Sequence, residues 1–205
     1  MILKKPFLSV TPSLDGDVLA RVARATDWLS VPQIHALLPE RSDEGIRKTL
    51  TRLVQHGLLL EKVFGRSRVF SLNRDHLLAS AVVEIAEAQE CFLDRLVQRC
   101  ASWDSPPVFA ALFGSAARGE MTPESDIDLF IVEPINADDD TFSEQVDVLC
   151  AEASRWTGND VQALVIPEKS LTGAKDLEPV LSDIEREGLF FVGARRDFSS
   201  SIEHR

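Results

Sequence analysis

The chain has 205 residues, 44% of them hydrophobic, and 22 Lys+Arg against 33 Asp+Glu give a net charge of −11. That length allows one large or two small domains, and the composition suits a soluble globular protein with a buried core. No apolar run approaches a membrane span, so no membrane partner is expected. Met1–Val10 is too short and too broken by Lys4, Lys5 and Pro6 to serve as a signal peptide. Three cysteines, Cys91, Cys100 and Cys150, are odd in number and lack metal-type spacing, so buried or half-buried free thiols in a reducing cytoplasm are expected.

The charge is unevenly spread. Residues 1–76 carry 12 basic against 8 acidic side chains, a balance of +4, and residues 77–205 carry 10 against 25, a balance of −15. A basic front and an acidic back suggest two modules with different partners, although chance clustering on solvated faces gives the same numbers. In chain order, Asp15–Ala25 has helical spacing at Val18, Leu19, Val22 and Ala25. Val31–Leu38 is a second short helix, with Ile34, Leu37 and Leu38 inward. Ser42 suits the N-cap of a third helix, Asp43–His56, with Asp43 and Glu44 at its positive end. Its apolar face is Ile46, Leu50, Leu53 and Val54; its other face shows Arg47, Lys48, Thr51 and Arg52. Leu58–Val63 and Arg68–Leu72 then read as a hairpin around Gly65-Arg66-Ser67.

Three helices and a hairpin resemble a winged helix-turn-helix domain. The resemblance implies a third helix in the major groove and a hairpin against the phosphate backbone. DNA is then the partner of residues 1–76. Arg47, Lys48, Thr51 and Arg52 have the chemistry for phosphate and base-edge contacts, and Arg66 and Arg68 suit the wing. A winged-helix fold used for protein contacts, or a simply solvated helix face, are the competing readings. Phe70–Leu77 looks like the junction found where such domains are fused to small nucleotide-transferring enzymes, and His76 within it reads as a capping or packing residue.

Leu77–Trp103 is a long helical pattern, with Leu78, Ala81, Ile85, Ala88, Phe92 and Leu96 on one face. It either packs into a core or pairs with its copy in a homodimer. Ser105-Pro106-Pro107 ends it. The most informative stretch follows, Leu112–Val132. Val108–Phe113 is an apolar strand, stopped by Gly114-Ser115, where a missing Cβ lets backbone approach a ligand and turn amides can face an anion. Ala116–Gly119 reads as one helical turn carrying Arg118 toward the same anion. Ser125 leads into a strand from Asp126 to Val132, in which Asp126 and Asp128 share a face. Two adjacent carboxylates repel unless a cation lies between them, and Mg²⁺ takes such oxygens together with substrate phosphates. The bland alternative is a hairpin whose Asp-Ile-Asp caps a strand end.

Gly114-Ser115, Ala117-Arg118-Gly119-Glu120 and Ser125-Asp126-Ile127-Asp128-Leu129 resemble the signature of the polymerase-β-like nucleotidyltransferase superfamily. The nearest branch is that of the minimal and kanamycin-nucleotidyltransferase-like proteins. The resemblance covers about residues 105–193. It implies a mixed sheet with flanking helices, an NTP (ATP in this reading) with its phosphates at Gly114, Ser115, Arg118 and Ser125, and a two-metal Mg²⁺ site at Asp126 and Asp128. It also implies a third carboxylate on the strand Asp160–Ile166, where this chain places Gln162. Glutamine orients a hydroxyl but cannot take its proton, and Asp160, two residues away on the same face, is the candidate substitute.

Thr141 and Glu144 fit a capping box for a helix running to Trp156 after the acidic loop Asn136–Asp140. Asp176–Glu187 is a last helix, with Leu177, Val180, Leu181 and Ile184 inward. Leu189–Val192 is a closing strand and Arg195–Arg205 a loose tail. The expected architecture is therefore α+β: a winged helix over 1–76, a connecting helix over 77–104, a mixed-sheet nucleotidyltransferase domain over 105–194 and a tail over 195–205. Two functions compete. One is transfer of a nucleoside monophosphate from an NTP to an unidentified acceptor, protein or small molecule. The other is a DNA-binding regulator whose weakened transferase domain only senses nucleotide.

Overall fold

The computed structural model describes residues 1–171 and 178–203. The chain divides into two units, one of Lys5–Gln89 and one of Met1–Lys4 together with Glu90 onward. In the first, α1 (Leu14–Arg24), α2 (Val31–Leu37) and α3 (Asp43–Gln55) precede the hairpin β2 (Leu59–Phe64) and β3 (Ser67–Leu72). A two-residue strand β1 (Leu29–Ser30) adds to β3, giving an antiparallel sheet in the order β1-β3-β2. Apolar residues at helical spacing meet the inner hairpin face, so Val18, Val22, Ile34, Ile46, Leu50, Leu59 and Phe70 form one core. Ser42 caps α3, its hydroxyl accepting from the Gly45 amide at 3.1 Å. Leu37, expected inward, is 48% exposed, because α2 ends there and Leu38 turns into the core instead.

The long helix expected over 77–104 is two helices, α4 (Ala79–Ala86) and α5 (Ala88–Ala101). Glu87 between them leaves the helical region at φ −95°, ψ 15°. Each half serves its own core: Ala79, Val82 and Ala86 the first, Phe92, Leu96 and Cys100 the second. Leu78 and Ala81, expected inward, are exposed because α4 turns Ala79, Val82 and Ala86 into the core instead. Of the rest of the apolar stripe that suggested a dimer seam, Phe92 and Leu96 are buried within the chain, and Ile85 and Ala88 are half-buried. His76 accepts from the Leu78 amide through Nδ1 at 3.1 Å, a capping contact.

The second unit is built on a four-stranded sheet in the order β6-β5-β4-β7. Its strands are β4 (Phe109–Phe113), β5 (Ile127–Glu133), β6 (Val161–Pro167) and β7 (Leu189–Val192). β4 runs antiparallel to β5 and β7, and β5 parallel to β6, so the sheet is mixed. Strand alternation divides its side chains between two cores. Ile127, Leu129 and Ile131 pack with α5 and α7 (Asp139–Thr157), and Leu3 is fully buried there. Phe130, Val132 and Ile166 pack with α8 (Glu178–Glu187) and α9 (Arg195–Glu203).

Three expectations are corrected here. Asp138, not Thr141, caps α7: its carboxylate accepts from the Thr141 amide at 2.9 Å, which also holds the Asp138 carboxyl below its usual range. Arg195–Glu203 is helical rather than loose, because Phe198 is fully buried against Phe109, Phe130 and Phe190, with ring centroids 5.3–5.5 Å apart. Cys91 is exposed, whereas Cys100 is buried and Cys150 half-buried. Burial pushes the Cys100 thiol up to about 12 and that of Cys150 to about 11, which leaves both protonated and inert. Asp176 and Leu177, expected in the last helix, lie outside the described residues, as do His204 and Arg205 of the tail.

Candidate functional site

The site sits where β4 ends against β5. Phe113 is the register partner of Asp128, and Gly114, next along, turns the chain at φ +67° into the short helix α6 (Gly114–Arg118). A Cβ on Gly114 would stand 2.5 Å from Asp128 Oδ2. Glycine is therefore required twice, by its left-handed backbone and by the carboxylate pressed against it. Ser115 follows, half-buried, and its carbonyl accepts from the amides of Gly119 and Glu120, both at 2.9 Å. Gly119 closes α6 at φ +80°.

Asp128 is half-buried on β5. Asp126 is exposed and precedes the strand, which begins at Ile127 where that residue's amide donates to Asp160 O at 2.8 Å. Burial is the chief cause raising the Asp128 carboxyl above its ordinary range; the charge of Asp126 raises it further, and Arg118 partly opposes both. Among the described residues, neither carboxylate has a hydrogen-bond or ion-pair partner for its side chain. Two adjacent carboxylates without a cation are what a hard divalent ion would satisfy, its remaining ligands coming from phosphate or water. No group of three or more His, Cys, Asp or Glu suited to a metal occurs among the described residues.

Residues 93–177 match the nucleotidyltransferase domain. The match covers less than half the chain, and it supports nucleotidyl transfer as the general chemistry of that region. Among solved structures, a toxin-antitoxin bound to AMP-PNP is 16% identical, with a TM-score of 0.40 over 54% of this chain and 80% of its own. The toxin-antitoxin MntA-HepT is 15% identical, with a TM-score of 0.37 over 56% of this chain and 80% of its own. No curated protein matches.

Around the carboxylate pair, the other expected residues fall into place unevenly. Gln162 is the register partner of Asp128 on β6, exposed, and donates from Nε2 to Asp160 Oδ2 at 3.2 Å. Arg118 is held by Glu120 at 2.7 Å and Glu187 at 3.3 Å, rather than reaching over the Gly-Ser turn. The Ser125 hydroxyl accepts from the Thr122 amide at 2.9 Å and so closes its own loop. Two residues that no motif pointed to support the site. Lys4 lies across Gly119 and donates to Ala117 O at 2.7 Å, tying down α6. Asn159 donates to Ser125 O at 2.9 Å. A buried amide beside a helix-ending Gly158 is the only sequence trace of the second; Lys4 leaves none.

The face of α3, in the other unit, is differently charged. Arg47 pairs with Asp43 and Lys48 with Glu44, both at 2.7 Å, and Arg52 pairs with Asp15. Together with Glu44, Thr51 and Gln55, these cations line a shallow cavity of about 370 Å³. On the hairpin Arg68 is bound by Glu61, while Arg66 at the tip is exposed and has no carboxylate partner among the described residues.

Proposed function

We propose that the second unit is a Mg²⁺-dependent nucleotidyltransferase that moves a nucleoside monophosphate from an NTP, ATP in this reading, to an acceptor. The observation that carries the proposal is the carboxylate pair Asp126 and Asp128, unpartnered among the described residues, with Asp128 pressed against the Gly114 turn. In this reading Gly114 and Ser115 receive the triphosphate, and Asp126 and Asp128 hold the metal, in a two-metal arrangement once nucleotide is bound. The bound cation supplies charge neutralisation on the phosphates. An acceptor hydroxyl oxygen forms a bond to the α-phosphorus, the bond to the bridging oxygen breaks, and pyrophosphate leaves. Arg118 has to exchange Glu120 and Glu187 for phosphate to take part, a trade between exposed ion pairs that costs little. Gln162 orients the acceptor hydroxyl, and Asp160, hydrogen-bonded to it, is the group able to accept the proton. Incubation with labelled NTPs, Mg²⁺ and cell extract tests the proposal. A labelled product lost in the Asp126→Asn/Asp128→Asn variant supports it, and the absence of any product opposes it.

A second reading is favoured by Gln162, which stands where a carboxylate would be needed. In it, residues 1–76 are a DNA-binding winged helix and the transferase domain senses nucleotide in a cytoplasmic regulator. Arg47, Lys48, Thr51 and Arg52 would lie in the major groove, with Arg66 and Arg68 on the backbone. The paired state of most of these cations does not oppose it, since surface ion pairs are weak and phosphate competes for them. Nucleotide binding without transfer to any acceptor, together with DNA retention at low salt, would favour this reading over the first.

A further inference from the structure

We propose that Asn159 is the positioning residue for Asp126: its buried amide holds the metal-binding loop in place and thereby sets the affinity of the site for a divalent cation. The inference rests on the reading of Asp126 and Asp128 as metal ligands. Asp126 is exposed, lies outside β5 and has no side-chain partner among the described residues, so its position comes from its neighbours in the chain. On one side the Ile127 amide donates to Asp160 O at 2.8 Å, the first rung joining β5 to β6. On the other, Ser125 O accepts from Asn159 Nδ2 at 2.9 Å, and Pro123 O lies at 3.5 Å from the same nitrogen. Asp126 is thus strung between two anchors, both supplied by the Asn159-Asp160 dipeptide.

The loop has internal bonds as well, Thr122 N to Ser125 Oγ at 2.9 Å and Ser125 N to Thr122 O at 3.1 Å. Those bonds shape the turn without attaching it to anything. The attachment is Asn159, which is only 6% exposed. Its orientation is determined: Nδ2 faces two carbonyls and Oδ1 accepts from the Met1 nitrogen, so a flipped amide would set oxygen against oxygen. Its backbone is fixed too, by Gly158 at φ +72° ending α7 and by the Thr157 hydroxyl accepting from its amide at 3.3 Å. Mg²⁺ demands near-ideal octahedral geometry, so a loosened Asp126 loses metal affinity before it loses the fold.

The test uses the full chain, Mn²⁺ as the metal and a fluorescent ATP analogue as the nucleotide. Removal of a group that orients a metal ligand typically costs ~10–100-fold in metal affinity. Asn159→Ala is therefore expected to raise the Mn²⁺ concentration for half-maximal nucleotide binding by about tenfold, while nucleotide affinity at saturating Mn²⁺ stays within about twofold of wild type. Asn159→Asp keeps the volume but turns an acceptor toward Ser125 O, and is expected to do the same. A purely structural role would lower the melting temperature and leave the metal requirement of the folded fraction unchanged, which would overturn the proposal. It is overturned equally if both variants fail to fold by circular dichroism. Should wild type bind nucleotide without any metal dependence, the transferase reading itself falls, and this inference with it.

Discussion

The α3 face and the β4–β5 corner are two charged places singled out by the sequence, and they handle charge in opposite ways. On α3 each cation already has a carboxylate: Arg47 has Asp43, Lys48 has Glu44, Arg52 has Asp15. At the corner, Asp126 and Asp128 repel each other, and Asp128 is half-buried with its proton held more tightly than usual. A surface whose charges are matched internally is stable without a ligand and reveals little about one. A buried mismatch costs free energy in the empty protein, and a ligand that removes it gains what the fold has lost.

The largest expected effect would break the contrast at its acidic end. Asp126→Asn with Asp128→Asn should lower metal-dependent NTP binding by ~100-fold or more, since both carboxylates proposed to hold the cation between them and the phosphates are removed. The same change should leave the melting temperature unchanged or raise it. The sign follows from the raised Asp128 carboxyl. Its contribution to stability is fully present below the unfolded value and lost as pH rises through the folded one, so at neutral pH its replacement by a neutral group relieves the fold. Melting curves of wild type at pH 7 and pH 4, set beside the variant, check that sign.

A comparable effect in the opposite direction is expected at Gln162. A positioned base contributes ~10²–10⁴-fold, so Gln162→Asp should speed transfer once an acceptor is found, whereas Asp160→Asn should slow it. Initial rates against pH distinguish the two carboxylates. Loss of activity in Asp160→Asn with no gain in Gln162→Asp would make Asp160 the third acidic group.

Smaller effects sharpen the backbone side of the comparison. Gly114→Ala forces a left-handed alanine at about 1–2 kcal/mol and drives its Cβ into the Asp128 carboxylate, so melting should fall by roughly 5–10 °C and nucleotide binding should be lost. Lys4→Met removes one hydrogen bond to Ala117 O, about 1 kcal/mol, and should weaken nucleotide binding several-fold with little change in melting. On the matched face, Arg47→Ala, Lys48→Ala and Arg52→Ala together should leave nucleotide binding untouched. If DNA is bound, they should reduce the salt slope of that binding by about 0.9 per lost phosphate contact.

Much of the site was legible because its parts are local. The Gly114-Ser115 turn and the spacing of Asp126 and Asp128 are short patterns with fixed geometric meaning, and they need only a neighbouring strand. The register of Gln162 against Asp128 was not read from the sequence, which reached Gln162 only through the family resemblance; the parallel pairing of β5 and β6 sets the two side by side. Contacts across the chain were not legible. Lys4 meets Ala117 across 113 residues, and Asn159 meets Ser125 across 34, with no periodicity to mark either. The tail misled for a related reason. Arg195–Glu203 has two apolar residues, Phe198 and Ile202, too few for a pattern, yet Phe198 alone fills a gap against three other phenylalanines. The helix over 77–104 failed because one continuous pattern concealed two cores.

Titration calorimetry of ATP into the wild-type protein, with and without Mg²⁺, tests most directly whether the unmatched carboxylates are a metal–nucleotide site. The account predicts binding with Mg²⁺ and none measurable in EDTA, because Asp126 and Asp128 repel a bare triphosphate. Equal affinity under both conditions would contradict it.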